Sequence, residues 1–207
     1  MEFRPVFKDK DAMPVWEITG VVIPEIFEEV LCTESDWESA NKVYKTHGNH
    51  NDGKFIYSGN ALQEVDYTKI MNPIVDFLKI QEDYDFRSSW SAWKFIDAIE
   101  AHRDCRKMDI WKMLANADHG AHTDNLFIMG TVILNIAENA EGSGTKYYDK
   151  LGPKTNGFLR ELYESPAKKG TGVLHINTHS TLHRGHNNSE QDRYVAYTNL
   201  MSSSGQK

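Results

Sequence analysis

The feature that most constrains this chain is the change of hydrophobic period after about residue 105. Beyond that point the apolar residues fall into short alternating or β-branched runs: MDIWKML from Met108, NLFIMGTVILNI from Asn125, GTGVLHI from Gly170 and DRYVAYTNL from Asp192. Clusters rich in Gly, Asn, Asp and Pro separate these runs, and ANADHG, AENAEGSG, KLGPKTNG and HRGHNNSEQD read as turns. A period of two marks strands with two unlike faces. Several such strands with turns between them imply a sandwich or barrel rather than a parallel α/β sheet.

Before about residue 85 the spacing is helical. Pro24 suits the first turn of a helix starting near Glu25, and Ser35 can cap a helix over DWESANKVY. TKIMNPIVDFLKI puts Ile70, Ile74, Phe77 and Leu78 on one side, with Pro73 tolerable only near a helix start or at a kink. FIY reads as a short strand inside the polar segment THGNHNDGKFIYSGN. SSWSAWKFIDAIEAH fits a strand around Trp90 and Trp93 or a helix over DAIEAH. At 207 residues, 40% of them hydrophobic, the chain can bury one sizeable core. The expectation is a single domain over 1–207, with a helical or mixed support region to about 105 and a β-rich region over about 106–200. Trp90, Trp93 and Trp111 are assigned to the interior.

Composition narrows the partners. A formal net charge of -7 argues against a protein that binds by neutralising phosphates, so no nucleic-acid partner is expected. Cys32 and Cys105 are too few for a disulfide framework. MEFRPVFKDKD has no continuous apolar stretch that would make a signal peptide or a membrane span, so a soluble, cytoplasmic protein is expected and no membrane partner.

The chemistry concentrates in DHGAHTDNLFIMG, where His122 and Asp124 stand two apart at the mouth of an apolar run. Alone the pair is unspecific, and a second one, His102-Arg103-Asp104, lies in or beside a helix-like stretch. His122 differs in its setting, between two strands and with a second histidine cluster far downstream in THSTLHRGH. A His-x-Asp at a strand edge plus one distant histidine is the donor set of the two-histidine, one-carboxylate facial triad, which leaves coordination positions open. The distant ligand is His183 or His186, which flank Arg184-Gly185. His175 and His179 read as strand or loop residues, and His119 as either a pocket-entrance or a solvated histidine. Arg193 shares a strand face with Val195 and Tyr197. A guanidinium aimed inward needs an anion, and a carboxylate offers the bidentate match, which points to a dicarboxylate cosubstrate.

These segments resemble the iron(II)- and 2-oxoglutarate-dependent oxygenases, in particular the prolyl-4-hydroxylase-like branch. The resemblance spans roughly residues 108 to 200 and rests on HTD at 122–124, GTVILNIAENAEGSGTKYY at 130–148, KKGTGVLHINTHSTLHRG at 168–185 and RYVAYTNL at 193–200. It implies a double-stranded β-helix, or jelly roll, supported by N-terminal helices. It further implies His122, Asp124 and His183 as iron ligands and Arg193 as partner of the far 2-oxoglutarate carboxylate; the ten-residue spacing to Arg193 favours His183 over His186. The implied activity is hydroxylation of a C–H bond in a peptide or small-molecule substrate, with O2 consumed, succinate and CO2 released, and ascorbate supportive. Retention of Asp124 favours hydroxylation over halogenation, which in relatives requires loss of that carboxylate. Met113 stands where many relatives have a tyrosine, and Val195 where other branches have a serine. A cupin-like metalloenzyme of other chemistry and a non-catalytic jelly-roll binding module are the alternatives.

Overall fold

The computed structural model describes residues 1–7, 13–44, 52–81, 97–100, 108–125, 128–149, 159–178 and 180–201. In chain order the elements are β1 (Glu2–Pro5), β2 (Val15–Thr19), α1 (Glu25–Leu31), β3 (Trp37–Ser39), α2 (Ala40–Val43), β4 (Lys54–Tyr57) and α3 (Thr68–Lys79). Then follow β5 (Asp109–Met113), β6 (Ile128–Asn135), β7 (Ser143–Asp149), β8 (Arg160–Glu164), β9 (Gly172–Ile176), β10 (Leu182–Asn187) and β11 (Arg193–Met201). An eight-stranded antiparallel sheet runs β1-β2-β9-β6-β11-β5-β4-β3, and a three-stranded sheet runs β10-β7-β8.

Alternation explains how the sheets are used. One face of the large sheet carries Trp16, Ile18, Ile110, Val132, Leu134, Leu174, Ile176, Ala196 and Leu200, and it packs on the helices. From them come Phe27 and Val30 of α1 and Ile70, Met71, Ile74, Val75 and Leu78 of α3, all buried. Burying each such side chain stabilises the fold by about 1.5–3 kcal/mol before entropy is charged against it. Phe77 lies at the rim of this core, stacked on Phe3 with ring centroids 4.0 Å apart. The other face meets the small sheet: Val15 and Val173 cluster with Tyr147 of β7, and Arg193 of β11 donates to the Gly144 carbonyl of β7 at 2.6 Å. Two facing antiparallel sheets of this order make the expected double-stranded β-helix.

Three local expectations change. Residues 37–39 are strand, not helix, because Trp37 and Ser39 pair with Tyr57 and Phe55 of β4; only Ala40–Val43 is helical. Ser35 bonds the Asp36 carboxylate instead of capping a helix. HRGHN belongs to β10 rather than to a turn, since each of its residues opposes one of β7. Pro73 sits inside α3, past its first turn. Residues 97–100 are helical, as DAIEAH suggested. Trp90, Trp93, His102, Asp104, Cys105, His179 and the KLGPKTNG segment lie outside the described residues. Among the described residues no helix is long and apolar enough to cross a membrane.

Candidate metal centre and anion pocket

The loop after β5 is pinned to β10 by a reciprocal pair of backbone bonds, His122 N to His183 O at 2.8 Å and His183 N to His122 O at 2.9 Å. That bridge sets the two imidazoles side by side, centroids 4.6 Å apart, although 61 positions separate them in the sequence. Asp124, two residues beyond His122, projects to the same side. Its Oδ1 lies 3.6 Å from His122 Nε2 and 3.7 Å from His183 Nε2, and one donor atom from each of the three residues falls within 4.8 Å of the others.

The hydrogen bonds assign the tautomers. His122 Nδ1 faces the Gly120 carbonyl at 3.0 Å and His183 Nδ1 faces the Thr181 carbonyl at 3.2 Å. A carbonyl oxygen only accepts, so each Nδ1 carries the proton and each Nε2 presents a bare lone pair toward Asp124. Burial, with His175 adding to it, lowers the His183 pKa to about 3, so this imidazole is neutral at pH 7. Burial alone would raise the Asp124 carboxyl, but hydrogen bonding, including that from His175, outweighs it and holds the group well below the usual carboxylate range. Two bare imidazole nitrogens and a carboxylate oxygen facing one another repel unless a cation joins them, and this donor chemistry fits a divalent metal.

Asp124 is itself held. Thr131 Oγ1 donates to its Oδ2 at 2.9 Å, and His175 Nε2 reaches the same oxygen at 3.2 Å. The Tyr147 hydroxyl lies 2.9 Å from His175 Nδ1. Since Asp124 only accepts, His175 carries its proton on Nε2 and accepts a hydrogen bond from the Tyr147 hydroxyl on Nδ1. Thr131 and His175 oppose one another directly in the β6–β9 register, which is why both reach one carboxylate. Sequence reasoning placed His175 in a strand without seeing this contact; its signal was inward phase on GTGVLHI, opposite Leu174 and Ile176.

Beside the triad lies a cavity of about 90 Å³. Arg193 and Lys54 reach it from the large sheet, and Trp111, Ile133, Val195 and Tyr197 wall it. The cations arise from register: Lys54 of β4 and Arg193 of β11 both oppose Met113 of β5, so the three side chains share the inner face. Arg193 is 3% exposed, and among the described residues it bonds neutral groups, the carbonyls of Gly144 at 2.6 Å and His186 at 3.5 Å and the Thr145 hydroxyl at 3.4 Å, while its Nε has no acceptor. Burial lowers its pKa to about 10, so it stays charged at pH 7. Burial, followed by the nearby guanidinium, lowers Lys54 to about 7.

Other residues fall as follows. Trp111 was assigned to the interior but is half-buried on the cavity wall, because the period of two turns it inward while Ile110 faces the helices. Met113 and Val195 both line the cavity. His119 also lines it, its ring tilted against that of His122 with centroids 4.3 Å apart. Asp118 instead pairs with Arg184 at 2.8 Å. His186, three residues past His183 on a strand, turns to the opposite side, where its Nε2 lies 2.8 Å from Glu164 Oε1; it is not part of the triad. A larger groove of about 730 Å³ lies between the 20–26 segment and α3 and contains none of the triad residues.

The fold recurs among solved structures. A prolyl hydroxylase from Trichoplax adhaerens, in complex with a hypoxia inducible factor oxygen degradation domain peptide fragment, is similar over 92% of this chain and 84% of its own, with a TM-score of 0.57 and 10% identity. A prolyl-4-hydroxylase from Pseudomonas putida is similar over 93% of this chain and 94% of its own, with a TM-score of 0.55 and 10% identity. No protein-family model and no curated protein sequence matches the chain.

Proposed function

We propose that this chain is an iron(II)- and 2-oxoglutarate-dependent dioxygenase that hydroxylates a C–H bond. One observation carries the reading: a His-Asp-His donor set stands beside a pocket whose buried guanidinium has, among the described residues, neutral hydrogen-bond partners. A metal site alone fits many cupin-like chemistries; a metal site joined to an unpaired buried cation fits a chelating diacid. His122, Asp124 and His183 would hold iron, and Arg193 would hold the far carboxylate of 2-oxoglutarate. When bound, iron and the diacid supply O2 activation, the diacid leaving as succinate and CO2 while one oxygen atom enters the substrate.

The protein's own part is positional. The Nδ1 protons on backbone carbonyls keep both Nε2 lone pairs pointed at the metal position. Thr131 and His175 lock the carboxylate rotamer, so little ordering is left to be done on binding. Trp111, Ile133 and Val195 give the pocket apolar walls, which lower the local dielectric and strengthen the field of Arg193. A prolyl peptide is the first substrate class to test, since both similar structures are prolyl hydroxylases and one was captured with a peptide.

The test is anaerobic titration of 2-oxoglutarate into iron-loaded protein, followed by succinate formation with O2 and ascorbate over prolyl peptides and small molecules. Asp124→Ala should abolish turnover. Arg193→Ala should keep iron but lose about 3–5 kcal/mol of 2-oxoglutarate binding, roughly two to four orders of magnitude in Kd, with Arg193→Lys in between. Binding by Arg193→Ala within about threefold of wild type, under 1 kcal/mol, would refute the assignment.

A further inference from the structure

Lys54 is a buried lysine with no counter-ion among the described residues. It is 4% exposed, and among the described residues no carboxylate comes within ion-pair distance of its ammonium and no acceptor within hydrogen-bond distance. Asp118, the acid whose field reaches it, is engaged with Arg184. The ammonium lies 5.7 Å from the Trp111 ring centroid, on the wall of the same cavity that Arg193 enters.

When Lys54 is protonated, two like charges share one small pocket and repel each other, and each is costly to bury. Both costs are relieved together by an anion placed between them. Register puts Lys54 and Arg193 on either side of Met113, and the field of Arg193 reaches Lys54. The two groups also offer different contacts: a planar fork for two oxygens and a compact point charge for one.

We propose that Lys54 is a second binding residue for the far carboxylate of the cosubstrate, sharing that carboxylate with Arg193 and making the pocket select a diacid over a keto monoacid. The inference rests on the 2-oxoglutarate reading of the pocket and adds a residue to it from outside the C-terminal strands.

The experiment is an anaerobic calorimetric titration of iron(II)-loaded wild type, Lys54→Met and Lys54→Arg with two ligands. One is 2-oxoglutarate; the other is 2-oxopentanoate, which has the same chelating head and chain length but no far carboxylate. Lys54→Met should weaken 2-oxoglutarate at least tenfold and leave 2-oxopentanoate within twofold, while Lys54→Arg recovers most of the loss. Its thermal midpoint should not fall, because an apolar side chain of similar length replaces an unpaired buried charge; should that variant fail to fold, Lys54→Gln takes its place. Unchanged 2-oxoglutarate affinity, or equal weakening of both ligands, overturns the role of Lys54 and leaves Arg193 standing. Wild type that binds 2-oxoglutarate no tighter than 2-oxopentanoate overturns the diacid reading itself and this inference with it.

Discussion

Asp124 divides its two oxygens between two tasks. Oδ1 faces the imidazoles of His122 and His183, and Oδ2 is fixed by Thr131 and His175. A carboxylate free to rotate would lose its alignment with the two Nε2 lone pairs, and each bond to Oδ2 removes part of that freedom. His175→Ala deletes the buried bond at 3.2 Å and leaves the Tyr147 hydroxyl without its acceptor. Iron(II) affinity should fall about 10- to 100-fold, with the cooperative unfolding transition retained. Metal titration followed by calorimetry reads this directly; affinity equal to wild type would mean that Thr131 alone suffices.

At the scale of elements, the decisive piece is β10. It carries His183 inward, bridges to His122 and is tied to β5 and to the turn before β11 by one side chain. Asn187 Nδ2 lies within hydrogen-bond distance of the carbonyls of Met113, Leu114 and Gln191, at 3.1, 3.0 and 2.7 Å, while its Oδ1 accepts from the Ser189 hydroxyl at 2.7 Å. The Met113 bond is buried and the other two are part-buried, so Asn187→Ala strands at least one carbonyl, at about 1–3 kcal/mol for each one left unmet. The expected result is a loss of roughly 2–4 kcal/mol in urea unfolding with an unchanged slope. Because the same turn sets where Arg193 begins β11, 2-oxoglutarate affinity should weaken as well. A variant as stable as wild type would show that water takes over these bonds.

On the scale of the whole molecule, the large sheet separates support from chemistry. Its outer face is spent on the helices, and its inner face, with the small sheet opposite, carries polar and charged residues that the apolar core could not tolerate. The donor set converges across that inner space from the β5–β6 loop and β10, so a bound ion links segments far apart in sequence. Metal should therefore stabilise the entire fold: at 100 times Kd the gain is about 2.7 kcal/mol. Anaerobic thermal unfolding with iron(II) or manganese(II) should show a midpoint that climbs with metal concentration in wild type and does not move in Asp124→Ala. An equal rise in both proteins would locate the ion elsewhere.

Local physics sufficed for part of this. The alternating or β-branched apolar runs MDIWKML, NLFIMGTVILNI, GTGVLHI and DRYVAYTNL mark β5, β6, β9 and β11, because apolar side chains in these patterns pack on a pleated surface. The short separation of His122 and Asp124 was legible too: neighbours two apart on extended chain project together. β7, β8 and β10 were not legible, since SGTKYYD, RELYE and LHRGHN owe their strand state to pairing with one another rather than to an apolar face. His183 entered as a candidate by resemblance and spacing, but only the bridge to His122 brings its ring to Asp124. The rows Thr131–His175 and Lys54–Met113–Arg193 exist only in the register of assembled strands. Composition and period are properties of single segments and survive in the unfolded chain; which residue stands opposite which is set by hydrogen bonds between segments, and those form only when the sheets do.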